Sequence, residues 1–250
     1  MDFSNRTALV TGSGQGVGEG IARALASNGA NVCLVGRTLS KVESVSDDIN
    51  KAGGSAIAIE CDVKSNDSIN SSIEAALSKF NSLNILINNA QEVPLGNILD
   101  VTDESFINGW DSGPLATFRY MKACYPHLKG SGKIINLASS SALRPDSNSY
   151  GAYAAVKESI RSLSRAAAVE WGPDNILVNC IMPLAKSTGM DWWMSEHPDE
   201  ANEFLKTIPL GRVGDCKDDI GQAVCHILSD GMNYITGSTI MLDGGQAYLR

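Results

Sequence analysis

Thr7-Ala8-Leu9-Val10-Thr11 runs straight into Gly12-Ser13-Gly14-Gln15-Gly16-Val17-Gly18, and Ile21, Ala22 and Leu25 follow at helical spacing. A short apolar run, a glycine-rich turn and a helix in this order open a strand–turn–helix unit. Glycine permits the tight turn and lets the backbone approach a pyrophosphate, which then sits at the helix N-terminus. A glycine-rich turn alone is a weak signal. Its position between strand and helix is what a dinucleotide fingerprint requires. This stretch therefore predicts a nucleotide site that includes Gly12, Ser13, Gln15, Gly16, Val17 and Gly18.

The same alternation continues along the chain. Strand-like runs are Thr7–Val10, Asn31–Val35, Ser55–Glu60, Leu83–Ile87, Lys133–Leu137, Ile176–Ile181 and Thr239–Leu242. Several are apolar throughout, as strands covered on both faces are. Helical periods lie between them, for example Ile69, Ile73, Leu77, Phe80 and Ile220, Val224, Ile227, Leu228. The pattern predicts one α/β domain over residues 1–250, with a doubly wound, predominantly seven-stranded parallel sheet and helices on both faces. The least regular stretch, about 184–209, carries Met190, Trp192, Trp193 and Met194 among charges and reads as a lid.

The 250 residues are 43% apolar and 19% charged, which marks a globular chain of one sizeable core. A net charge of −8 gives no electrostatic footprint for nucleic acid or an anionic membrane. No run approaches a membrane span, and the start, Met1-Asp2-Phe3-Ser4-Asn5-Arg6, has no signal-peptide core. Six cysteines without a Cys-x-x-Cys pair read as reduced thiols in a cytoplasmic protein. Three histidines fit no metal spacing, so no metal is expected.

The end of the second strand bears on the choice of nucleotide. An NAD site usually places an acid there, on the ribose 2′-hydroxyl. This chain has Val35-Gly36-Arg37-Thr38. Arg37 can pair with a 2′-phosphate, which favours NADP(H) and leaves NAD(H) open. Gln15 adds no second positive charge.

Tyr153 and Lys157 stand four apart in a helical run and share one face. A phenol of ordinary pKa near 10 is a poor base at neutrality, and a neighbouring ammonium would lower that value. The pair could then exchange a proton with a carbonyl oxygen. The spacing itself is common by chance.

Taken together, the motifs resemble the short-chain dehydrogenase/reductase family over essentially the whole chain. Thr11–Gly18 is similar to its glycine motif, Asp62-Val63 follows the third strand, Asn88-Asn89-Ala90 the fourth, and Ser139 the fifth. Tyr153 and Lys157 match Tyr-x-x-x-Lys, and Pro183, Thr188, Pro209–Arg212 and Asp243–Gly245 are familiar near the end. The resemblance implies hydride transfer between a nicotinamide and a ketone or secondary alcohol. It assigns proton transfer to Tyr153, the ribose and phenol tuning to Lys157, and the substrate oxygen to Ser139. Asp62 and Val63 would lie by the adenine, Asn89 and Ala90 by the ribose, Thr188 by the nicotinamide. A homotetramer is implied as well.

Three positions depart from the family. Gln91 replaces the glycine of Asn-Asn-Ala-Gly, Leu184 the glycine after Pro183, and Gly113 a helix asparagine that helps hold a relay water. Gly113-Pro114 should still disturb the helix and free a backbone carbonyl for that water. The departures motivate an alternative: a catalytically impaired, nucleotide-binding regulatory protein. An epimerase or dehydratase on the same fold is a third reading. The tryptophans and methionines of the lid point to an apolar, bulky carbonyl or alcohol substrate, or else pack the lid itself or a subunit contact. Gln91, Leu143, Arg144, Tyr150 and Leu184 are further candidates for the pocket wall.

Overall fold

The computed structural model describes residues 1–143 and 150–247, and only the backbone of Thr188 and Gly189. Strands and helices alternate: β1 Thr7–Thr11, α1 Gly16–Ser27, β2 Asn31–Gly36, α2 Leu39–Lys51, β3 Ser55–Glu60, α3 Asn66–Phe80 and β4 Ile85–Asn88. Then come α4 Asp103–Trp110, a π-helical turn Asp111–Leu115, α5 Ala116–Leu128, β5 Lys133–Leu137, α6 Gly151–Trp171 and β6 Leu177–Pro183. The chain ends with α7 Thr188–Glu196, α8 Pro198–Lys206, a second π-turn Cys216–Gly221, α9 Gln222–Leu228 and β7 Thr239–Leu242.

All seven strands are parallel, in the order β3-β2-β1-β4-β5-β6-β7. Alternation along each strand explains the two helical layers, because successive side chains leave opposite faces. Ala8, Val10, Val32 and Leu34 join one core with Ile21 and Leu25 of α1, Val42 of α2 and Val224 of α9. Leu9, Cys33, Val35 and Leu86 join the other with Ile69 of α3 and Tyr120 of α5. Each fully buried Ile, Leu or Val contributes about 1.5–3 kcal/mol of transfer free energy. The strand order reverses between β1 and β4, which opens a crevice beyond their C-terminal ends.

Two local expectations change. The fourth strand begins at Ile85 and not Leu83, because Asn84 turns its side-chain oxygen onto the Thr7 amide at 2.9 Å. The stretch expected to be irregular, 184–209, is mostly helical. Ser187 caps α7 by accepting from the Met190 amide, and Pro198 with Asp199 and Glu200 opens α8.

Candidate active site

The glycine turn sets the nucleotide end of the crevice. Gly12 and Gly16 have φ of 65° and 60°, the left-handed region that glycine adopts without strain. A Cβ on Gly18 would stand 2.4 Å from both Gly12 O and Asn89 Nδ2, so only glycine lets α1 seat this close. Asn89 Nδ2 donates to the carbonyls of Thr11 and Gly12, each at 2.9 Å. Thr11 Oγ1 accepts from the amides of Asn89 and Ala90 at 2.9 and 3.0 Å. The loop after β4 is thereby stitched to the glycine turn. The N-termini of α3 and α4 are capped by Ser65 and Thr102, whereas Gln15 gives α1 no side-chain cap. Its first-turn amides remain available to an anion.

A cleft of about 530 Å³ runs from this turn to Tyr153. Gly12, Gln15, Gly16, Val17, Arg37, Val63, Asn89 and Ala90 line it, as does Gln91. Other predicted residues stand behind the wall. Ser13 is fully buried, and its hydroxyl and amide both point to Val35 O at 3.5 and 3.2 Å, so it ties the turn to β2. Gly18 acts through packing. Asp62 is exposed and turns its carboxylate back to the Lys64 amide at 3.0 Å, while its neighbours Cys61 and Val63 form the wall. Thr188 opens α7, and Ser187 beside it lines the cleft.

The charge at the mouth is richer than Arg37 alone. Lys41 of α2 lines the cleft, and its Nζ donates to Gln15 Oε1 at 2.7 Å. Gln15 thus brings a second cation to the site without carrying one. The sequence holds a clue to Lys41, since it lies one helical turn after Arg37 at the start of α2. Arg37 is not free: its guanidinium meets Glu92 Oε1 at 2.6 Å, and Lys64 Nζ reaches the same oxygen at 3.1 Å.

At the other end, α6 presents Tyr153 to the cleft and keeps Lys157 buried beneath it. Burial pushes the Tyr153 phenol up to about 12; the adjacent Ser139 hydroxyl acts against this and Tyr150 adds to it. Lys157 Nζ donates to Leu137 O at 2.7 Å and lies 5.6 Å from the Tyr153 ring centre. Burial pulls its ammonium down to about 8. The expected depression of the phenol by Lys157 is therefore absent from this arrangement. The ammonium faces a strand carbonyl and the ring, and desolvation of the phenolate dominates.

The helix disturbance predicted at Gly113-Pro114 is the π-turn, in which Ala116 N donates to Asp111 O. Just before it, two carbonyls of α4 accept from side chains: Gln91 Nε2 donates to Gly109 O at 2.8 Å and Ser112 Oγ to Asn108 O at 2.7 Å. Of the further wall candidates, Gln91 lines the cleft. Tyr150 stacks edge-on against Tyr153 at 6.2 Å, and the Leu184 backbone pairs with Leu242 and Gly214. Leu143 ends the short turn after Ser139, and Arg144 lies outside the described residues. On α7, Trp193 packs edge-on against Phe204 of α8 at 5.7 Å, while Trp192 is exposed. Among the described residues, no group of His, Cys, Asp and Glu could hold a metal, and no helix is long and apolar enough to cross a membrane.

Comparison with known proteins places the whole chain among dehydrogenases and reductases of this fold. A family model described as enoyl-(acyl carrier protein) reductase matches residues 12–247. A 12alpha-hydroxysteroid dehydrogenase from a Clostridium species is 37% identical over 97% of both chains. A 3-oxoacyl-(acyl-carrier-protein) reductase from Chlamydia muridarum is 33% identical over 97% of this chain and 98% of its own. The structure of a short-chain alcohol dehydrogenase from Sinorhizobium meliloti superposes with a TM-score of 0.91 at 32% identity, covering 98% and 97% of the two chains. A Brucella melitensis 3-ketoacyl-(acyl-carrier-protein) reductase was crystallised with NADH (TM-score 0.88, 29% identity, 98% and 99% covered). A Burkholderia cenocepacia short-chain dehydrogenase was crystallised with NADP (TM-score 0.91, 25% identity, 98% and 99% covered).

Proposed function

Because the chain belongs to the short-chain dehydrogenase/reductase family, and so to the NAD(P)-dependent oxidoreductases, we propose that it interconverts a bulky apolar ketone and its secondary alcohol with NADP(H), using Tyr153 as the proton-transfer group. The observation that carries this reading is the Tyr153 phenol on the wall of a cleft that begins at an uncapped helix N-terminus.

The residues present fit a dinucleotide. Gly12, Gly16 and the amides of the first turn of α1 would hold its pyrophosphate; Asn89 and Ala90 would flank a ribose, and Val63 the adenine. Arg37 and Lys41 would share the 2′-phosphate. When bound, the nicotinamide supplies or accepts the hydride. The protein moves the proton. A phenol near 12 stays protonated at neutral pH, so in reduction Tyr153 donates its proton to the carbonyl oxygen as negative charge develops there. The Ser139 hydroxyl, beside the phenol, would hydrogen-bond the same oxygen. In alcohol oxidation Tyr153 must first lose its proton, so that direction gains from alkaline pH. Lys157 would hold the ribose next to the phenol.

Helices α7 and α8 act as the lid in this reading. The similarity to a hydroxysteroid dehydrogenase and exposed Trp192 support a polycyclic or similarly large apolar substrate. Exposed Ile107 and Trp110 on α4, Phe118 on α5 and Val169 on α6 support self-association, and the family resemblance is the ground for a homotetramer. Absorbance of the reduced nicotinamide, followed over a panel of hydroxysteroids, simple ketones and acyl thioesters with both cofactors, tests the proposal. Turnover of bulky ketones with NADPH supports it. Absence of any carbonyl-dependent change overturns it.

A further inference from the structure

The departures at residues 91 and 113 meet in space. A Cβ on Gly113 would lie 2.2 Å from Gln91 Oε1 and 2.9 Å from both Cδ and Nε2. The glutamine amide thus occupies the space that any side chain at 113 would need. It is also held firmly. Nε2 donates to Glu92 O at 2.6 Å and Gly109 O at 2.8 Å. Beside it, Glu92 N donates to Ser112 Oγ at 2.9 Å. These bonds clamp the loop after β4 onto the last turn of α4 and the π-turn. Gln91, Ser112 and Tyr153 all face one cleft, and the π-turn packs against α6, which carries Tyr153 and Lys157.

One atom of the clamp stands out. Gln91 Oε1 is buried and meets no protein donor, the sole such side-chain atom among the described residues. Its amide orientation is fixed, since two carbonyls accept from the nitrogen. A buried carbonyl left without a donor costs about 1–3 kcal/mol, so a buried water is its natural partner. A leucine or methionine would fill the same volume without that acceptor.

We propose that Gln91 is a positioning residue for the proton-transfer site, matched to Gly113, which delivers from the β4 loop a side-chain amide that the π-turn does not carry. The inference rests on the proposed role of Tyr153. Gln91 ties the last turn of α4 to the β4 loop through Nε2, next to the Glu92–Ser112 bond that holds the π-turn, and holds a water through Oε1. Glycine at 113 is required because the amide comes from the other side. The two departures from the family pattern are then a single exchange of a large and a small residue.

The test is a double-mutant cycle on the full chain with NADPH and an accepted ketone, with thermal unfolding midpoints measured alongside. Gly113→Asn should lower both kcat, about tenfold or more, and the midpoint, because the new side chain expels the clamped amide. Gln91→Gly should lower kcat about fivefold, and Q91G/G113N should recover to within about threefold of the wild type in kcat, with the midpoint restored. Gln91→Met, which keeps bulk and loses the amide, should lower kcat about fivefold while KM for NADPH changes less than about twofold. Additive losses in the double variant, an unimpaired Gly113→Asn, or an unimpaired Gln91→Met would each overturn the proposal. If the wild type reduces no carbonyl at all, the proposed function fails, and coupling between the midpoints still decides whether 91 and 113 are a matched pair.

Discussion

At the nucleotide end of the cleft the glycine turn offers backbone: Gly12, Gly14 and Gly16, with the amides of Asn89 and Ala90 hung on Thr11. At the reaction end the wall is made of side chains, with Gln91, Ser112 and Tyr153 arriving from three separate segments. The first kind of site is local. It needs close approach and positive φ, and a few adjacent glycines specify both. The second kind depends on which distant side chain fills which space, so the same geometry can be rebuilt with residues exchanged. The difference explains why the glycine turn keeps the family pattern while positions 91 and 113 leave it together.

The sharpest way to break this comparison is to remove the one side-chain atom that the reaction end cannot exchange. Tyr153→Phe should reduce kcat about a thousandfold and change the dissociation constant of NADPH less than about threefold, because general acid–base groups contribute 10²–10⁴ to rate while the ring keeps its packing. Single-turnover absorbance at the nicotinamide band, with a separate binding titration, measures both. Retained turnover would move the chemistry away from Tyr153.

Lys157 offers a test on stability as well as rate. Its ammonium is buried and its pKa lies at about 8 against an ordinary 10.5. Below pH 8 both folded and unfolded chains carry the proton, and the full cost of the buried charge is present. Between 8 and 10.5 the unfolded chain binds more protons, so stability rises with pH through this window. Lys157→Met should therefore be more stable than the wild type at pH 7, by up to about 3 kcal/mol less the lost hydrogen bond to Leu137. The advantage should shrink as pH approaches 10.5, while turnover and cofactor affinity fall throughout. Thermal unfolding at pH 7 and 10 reads the trend, and a pH-independent difference contradicts it.

Much of this was legible because the physics is local. Strand ranges fell within two residues at either end, since apolar runs between glycine-rich turns leave little freedom in a parallel sheet. Tyr153 and Lys157 lie on one helix, as their four-residue spacing predicted. The misses share a cause. Lys41 reaches the site through Gln15, and Gln91 fills the space above Gly113; neither relation has a sequence period. The pKa of Tyr153 went the other way because burial, invisible in the spacing, raises it more than the Ser139 hydroxyl lowers it. Helices α7 and α8 were overlooked although Ser187 and Pro198 signal their starts. Ser13 belongs to the fingerprint in sequence but to the core in space.

At the nucleotide end the comparison is sharpened by charge. NADP(H) should bind about tenfold or more tightly than NAD(H), and Arg37→Asp should reverse the order, because a carboxylate repels the 2′-phosphate and accepts from the 2′-hydroxyl. Calorimetric titration with both nucleotides measures it. Equal affinities in the wild type would remove Arg37 and Lys41 from the site.

The smallest predicted effect tests whether that end is fully optimised. Glu92 holds Arg37 at 2.6 Å and Lys64 at 3.1 Å, so a 2′-phosphate that recruits Arg37 must compete with a carboxylate already in place. The pair is partly exposed, with Arg37 59% accessible at its side chain and Glu92 29%, and exposed pairs typically contribute 0.2–1 kcal/mol. Glu92→Gln keeps the shape of the side chain and its backbone bond to Ser112 while removing the competing charge. It should tighten NADP(H) about threefold, which corresponds to roughly 0.7 kcal/mol, and leave NAD(H) within about 1.5-fold. The gain should be largest at low ionic strength and fade as salt screens it. If Glu92→Gln tightens both nucleotides equally, Glu92 opposes the shared pyrophosphate. If it weakens NADP(H), the carboxylate orients Arg37 for the phosphate, and the Arg37–Glu92 pair is part of the nucleotide site and not a competitor for it.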